Sequence, residues 1–198
     1  NEMSGMAPLD SPQSQSSIGR RLLGCLFGWS EGNGDKAQRV WVAANLIAGI
    51  LKSTTAKTFA LQRPLRLQIQ GRQVENLMKG AEETLHSLFE TSSQKELSKK
   101  FQSDDESKIV ISALLLLLCS WLHGSDQAVG TFLSNNKTVP LLVSLTTTHH
   151  HFEDIHIQGL AALLLGICME WNPNVKDSPL NLENLRKLLM TKVGKEKF

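Results

Sequence analysis

The chain has 198 residues, 41% of them hydrophobic, and its 21 basic residues nearly balance 19 acidic ones. That apolar content supports a sizeable core, in one large domain or two small ones. A net charge of +2 gives no electrostatic basis for binding nucleic acid or an anionic membrane surface.

Residues 1–17 are rich in Ser, Gln, Pro and Met without periodicity, which predicts a disordered arm or linker ahead of a helical domain over 18–198. The start lacks a basic-then-apolar stretch, so no secretory signal is expected. A first helix is predicted over 18–27, then a loop of small polar residues over 28–34. Asp35 is placed to cap a helix reaching Lys52, with Val40, Ala43, Ala44, Ile47, Ile50 and Leu51 at helical spacing. A short helical piece over 55–62 ends before Pro64. Ile69, Val74, Leu77, Met78, Leu85 and Leu88 suggest a helix over 67–89, weakened by Gly71 and Gly80.

Thr91-Ser-Ser-Gln94 and Ser103-Asp-Asp-Glu106 both have the form of a capping box. They predict helices over 94–101, with Glu96 and Lys100 paired at i,i+4, and over 106–123, stopped by a left-handed Gly124. A short helix follows over 126–133, with Val129, Phe132 and Leu133 inward, and Asn135-Asn136 makes a turn. Pro140 suits the first turn of a helix over 140–145. A polar loop over 146–152 leads to a helix over 153–171, and Ser178-Pro179 caps a last one ending near Val193-Gly194. No segment sustains period-two alternation between hairpin turns, so the fold class is all-α. Its alternating long and short helices suit a solenoid.

Three apolar segments end in tryptophan: Leu22 to Trp29 around Cys25, Leu115 to Trp121 around Cys119, and Leu163 to Trp171 around Cys168. Cys119 and Cys168 stand 49 residues apart, and Cys25 and Cys119 stand 94 apart, twice 47. Armadillo and HEAT units run about 40–47 residues, and each must stack on a neighbour to bury its apolar face. Leu118, Cys119, Trp121, Phe132, Leu160, Leu165, Cys168 and Trp171 are the expected structural core. The apolar run over 109–122 falls short of the roughly 20 residues of a spanning helix and reads as a helix buried on all sides.

The chemistry-bearing motifs weigh as follows. Three cysteines inside apolar runs predict buried, reduced thiols of a cytosolic protein, with neither a disulfide framework nor a nucleophile. The sequon Asn136-Lys-Thr138 has no secretory context to act in. Gly32-Asn-Gly34-Asp-Lys-Ala37 matches a dinucleotide string but lacks the preceding strand and the later acid. His149-His150-His151, with His156 nearby, is a candidate metal loop, though consecutive histidines point in different directions. Two basic clusters read as solvated faces: Arg63, Arg66 and Arg72 mid-chain, and Lys187, Lys192, Lys195 and Lys197 near the end. No catalytic residue, cofactor or metal site is expected.

Cys119-Ser-Trp121-Leu122, then Ala128-Val129, Phe132-Leu133 and Val139-Pro140-Leu-Leu142, resemble the globular head of the general vesicular transport factor family, golgin-type tethers of the endoplasmic reticulum–Golgi pathway. Gln158-Gly-Leu160-Ala-Ala-Leu-Leu-Leu-Gly166-Ile and Val193-Gly194-Lys195-Glu196 resemble the segment that closes that head. Leu22-Leu-Gly24-Cys-Leu-Phe27 and Trp41-Val-Ala43-Ala44 are similar to an earlier helix pair. The resemblance implies an armadillo-like solenoid, a right-handed superhelix holding the C-terminal repeats of the head. It also implies a homodimeric coiled-coil tail elsewhere in the full-length protein, and a peripheral place on Golgi and vesicle membranes. The partners it implies are Rab-type small GTPases, SNARE proteins and other tethers, with no binding face marked by a motif. The alternatives are an armadillo or HEAT adaptor of another pathway and a helical metal-binding protein.

Overall fold

A computed structural model describes residues 18–28, 34–62, 67–69, 72–74, 76–95, 104–135, 137–147, 155–176 and 178–193. Among them, nine helices and one two-stranded ribbon follow in the order α1 (Ile18–Phe27), α2 (Gly34–Ile50), α3 (Thr54–Gln62), β1 (Leu67–Ile69), β2 (Arg72–Val74), α4 (Leu77–Lys95), α5 (Asp104–Leu122), α6 (Asp126–Leu133), α7 (Thr138–Thr147), α8 (Ile155–Glu170) and α9 (Leu182–Lys192). The fold is all-α apart from the ribbon.

The helices pack in rows. α2, α5 and α8 lie side by side, with α5 in the middle. α1, α4 and α7 form a second row, each touching the next, and α9 rests on α7 and α8. The short α3 and α6 pack on one another. The unit α3–α4–α5 is thus followed by α6–α7–α8, one stacked on the other, as in an armadillo-like solenoid. Cys119 in α5 and Cys168 in α8 hold the third helix of adjacent units. Cys25 does not: it lies in α1, in the second row, and is only half-buried. A Leu-rich run ending in Trp reports burial, and burial is common to both rows, so that run alone could not assign a row.

Local chemistry sets most boundaries. Ser125 caps α6, its hydroxyl accepting from the Ala128 N–H at 3.2 Å. Gly124 takes a φ of 72° at the end of α5, the left-handed stop expected there. Several expectations need correction. The stretch 67–74 is an antiparallel ribbon with Ile69 opposite Arg72 and Leu67 opposite Val74. The helix begins only at Leu77, and Asn76 caps it, Oδ1 accepting from the Lys79 N–H at 2.8 Å. Thr91-Ser-Ser-Gln94 starts nothing: α4 is already running and continues through it to Lys95. Hydroxyl residues cost a helix interior only tenths of a kcal/mol each.

α7 likewise extends past the expected stop to Thr147, with the Thr146 and Thr147 hydroxyls donating back to the Val143 carbonyl at 2.8 and 3.0 Å. Asn181, not Ser178, caps α9, with Oδ1 accepting from the Asn184 N–H at 2.9 Å. Ile50, expected inward, is 60% exposed. The proposed arm over 1–17, the loop 29–33, the pair Glu96–Lys100 and His149–His151 lie outside the described residues.

Of the expected core, Leu118, Cys119, Trp121, Phe132, Leu165 and Cys168 are buried, while Leu160 and Trp171 are partly buried against them. The Cys119 thiol points from α5 to the Leu160 carbonyl of α8, 3.8 Å away. Lys57 is buried, and its ammonium donates to the His123 carbonyl at the C-terminal end of α5, where a cation meets the negative helix pole. Replacing Trp121, fully buried in α5, with Ala is expected to cost about 3–5 kcal/mol in a denaturant titration. Leu163→Ala, on the exposed side of α8, should stay within about 0.5 kcal/mol of the parent.

One buried acid joins the two stacked units. Glu82 of α4 is 4% exposed, and its Oε2 accepts from the Asn135 amide at 2.6 Å. Burial pushes its carboxyl from 4.5 up to about 7, against the opposing pull of Asn135 and, less strongly, Thr138. The folded chain therefore keeps a proton that the unfolded chain has released. The stability this group contributes is full below about 4.5 and is lost as pH rises to about 7. Melting temperature should fall across that window in the parent, and Glu82→Gln should flatten this part of the profile.

Candidate protein-docking groove

The row α2–α5–α8 buries one side of each helix and leaves the other open. On α2, once Val40, Ala43, Ala44, Ile47 and Leu51 are in the core, Trp41, Val42, Leu46 and Ile50 remain as a second apolar stripe facing out. On α5 the same side carries Asp105, Lys108, Ile109, Ser112 and the half-buried Leu116; on α8 it carries Ile155, His156, Gly159 and Leu163. The spacing of three or four residues keeps each set on one helical face. Stacking brings the three faces together as a groove of about 1120 Å³.

The groove is apolar in its floor and polar at its edge. Trp41 is 40% exposed, Leu163 53% and Ile155 76%, so large hydrophobic surface stands in water at neighbouring positions. Asp105 and Lys108 sit at one edge, 3.9 Å apart. A patch of this kind, with a polar rim, marks an interaction site. Water released from it stabilises a bound apolar segment by about 25 cal/mol per Å² covered. Gly159 sits in the α8 face with open space where a side chain would project. The groove can hold an apolar chain segment, and its opening over three helices suits an extended or helical one.

Of the eight expected core residues Leu160 lines the groove, from α8, and His156, weighed above as a metal candidate, lies on the same wall. Leu118, Cys119, Trp121, Leu165 and Cys168 lie on the buried sides of the two helices, α5 and α8, that carry it. The sequence signal for the groove was excess: α2 and α8 carry more apolar residues than one buried face accommodates. Among the described residues no group of three His, Cys, Asp or Glu side chains stands ready for a metal. His156 is exposed on α8, while His149–His151 lie outside them. Burial pushes the Cys119 thiol up to about 12 and Cys168 higher still. In the folded protein a thiol reagent should modify Cys25 first and leave Cys119 and Cys168 slow until denaturant is added; equal rates for all three would contradict this packing.

No helix of the described residues is long and apolar enough to cross a membrane. A family model for the head region of Uso1/p115-like vesicle tethering proteins matches residues 6–198. The chain is also similar to the general vesicular transport factor p115 of Homo sapiens, with 41% identity over 85 residues. The corresponding proteins of Bos taurus and Mus musculus are each 40% identical over 85 residues. These alignments cover 43% of this chain but 9% of each relative's length. With a match that runs through nearly the whole stacked unit, the chain belongs to the Uso1/p115-like vesicle tethering family, in its head region.

Proposed function

We propose that this chain is a non-catalytic docking element of a vesicle tether and that the α2–α5–α8 groove is its partner-binding face. The observation that carries the proposal is the apolar surface left exposed on three adjacent helices. A stack that merely had to fold would gain solubility by making that face polar. The pathway is transport from the endoplasmic reticulum to the Golgi and within the Golgi, supported by the vesicular transport named in the relatives' descriptions. The partners are Rab-type small GTPases, SNARE proteins and other tethers, and the chain reaches Golgi and vesicle membranes peripherally, through them. In a homodimeric full-length protein, two heads would raise the effective concentration of partner at the membrane.

The test is capture of GTP- or GDP-loaded Rab-type GTPases and of SNARE proteins by the folded chain. Gly159→Arg should abolish capture by filling the groove, while its melting temperature stays at or above the parent's, since arginine suits a helix interior better than glycine and meets open space there. Leu163→Asp should weaken capture at least tenfold. Capture unaffected by both variants would place the partner site elsewhere.

A further inference from the structure

The docking groove is floored by apolar side chains, yet Gln38 of α2 and Ser112 of α5 also stand on its wall. Hydroxyls inside these helices commonly close back on the preceding turn. Ser120 donates to the Leu116 carbonyl at 2.9 Å, Thr84 to the Gly80 carbonyl at 2.7 Å and Thr131 to the Gln127 carbonyl at 3.0 Å. Among the described residues the half-buried Ser112 hydroxyl makes no such bond, and the exposed Gln38 amide makes none either. Each is left with a donor and an acceptor at the groove wall. The carboxylate and ammonium of that wall, Asp105 and Lys108, stand 3.9 Å apart as a pair. The groove balances its own charge, so the complementary occupant is an uncharged one.

We propose that this occupant is an extended segment of a partner protein, laid across α2, α5 and α8, with apolar residues at every second position and its backbone held by Gln38 and Ser112. The proposal rests on the reading of the groove as the partner face. Neighbouring helix axes stand about 8–10 Å apart, so an extended chain crosses all three in about five or six residues of about 3.3 Å each. At α2 the wall runs only from Gln38 to Val42, about 6 Å of helix. A helical ligand with its side chains is about 10–12 Å across, whereas a strand needs about 4.8 Å, so the extended chain suits this narrow end. Backbone chemistry points the same way. A helix satisfies its own N–H and C=O groups and would press apolar side chains onto the Ser112 hydroxyl, which then loses water without gaining a partner. An extended chain brings N–H and C=O groups that need partners, and Gln38 and Ser112 supply them. Successive side chains of such a segment point to opposite faces, so every second one meets the apolar floor. Gly159, one turn from both Ile155 and Leu163 on α8, leaves open space for one of them.

The experiment titrates the chain with two acetylated, amidated octapeptides of the same leucine–serine composition and follows backbone amide shifts. One peptide alternates the two residues; the other sets its leucines at helical spacing. Saturable shifts centred on Gln38, Ser112 and Gly159 are expected with the alternating peptide, and about tenfold weaker binding with the other. Ser112→Ala and Gln38→Met should each weaken the alternating peptide about threefold to tenfold by removing one backbone contact. Both variants should keep the parent's melting temperature, since neither side chain has a partner in the fold. The extended mode is overturned by equal or tighter binding of the helically spaced peptide, by undiminished binding in both variants, or by no saturable shift from the alternating peptide. The groove reading fails separately, when capture of the GTPases and SNARE proteins survives both Gly159→Arg and Leu163→Asp.

Discussion

The structure depends on the burial of α5. Val110, Ile111, Ala113, Leu114, Leu115, Leu117, Leu118, Trp121 and Leu122 are all out of water, which is possible only because α2 and α8 flank the helix and α4 packs behind it. Each large side chain among them contributes about 1.5–3 kcal/mol by leaving water. The segment carries no charge from Ile109 onward, and its acidic residues gather at the N-terminal end, where the helix pole favours them. Polar ties at its C-terminal end include Lys57 on the His123 carbonyl and the edge-to-face contact of His123 with Trp171, 6.0 Å between ring centroids.

This keystone also explains the docking surface. A helix flanked on two sides and covered from behind has one side left, here the line Asp105, Ile109, Ser112 and Leu116. The neighbours inherit the same geometry, so their free sides align with it. Stacking alone produces a continuous face; the residues on it decide what the face does. Trp41, Val42, Ile155 and Leu163 make it adhesive toward apolar chain, and for a tether head that is a means of holding a partner without chemistry. The second row presents the opposite character, with Glu82 buried and His86 half-buried beside a polar cavity.

How far the sequence could be read follows from the same physics. The helices over 18–27 and 126–133 were legible to the residue, because each has a clear stop or cap beside a clean apolar stripe. The buried α5 was legible from its length and lack of charge. The ribbon at 67–74 was not: six paired residues offer too short a run for alternation to show, and Ile69 and Val74 fit a helical spacing by accident. The row of Cys25 was misjudged because similar apolar runs serve both rows. The groove was missed because Trp41 and Leu163 look like core residues in isolation. Their exposure follows from which helices become neighbours, and one helix's periodicity does not contain that information.

The most direct test of the central claim is a photo-crosslinking amino acid placed at Val42, at Leu163 and, outside the groove, at Lys187 of α9. With a GTP-loaded Rab-type GTPase or a SNARE partner bound, covalent adducts should form from Val42 and Leu163 and not from Lys187. Adducts from Lys187 with none from the two groove positions would contradict the account.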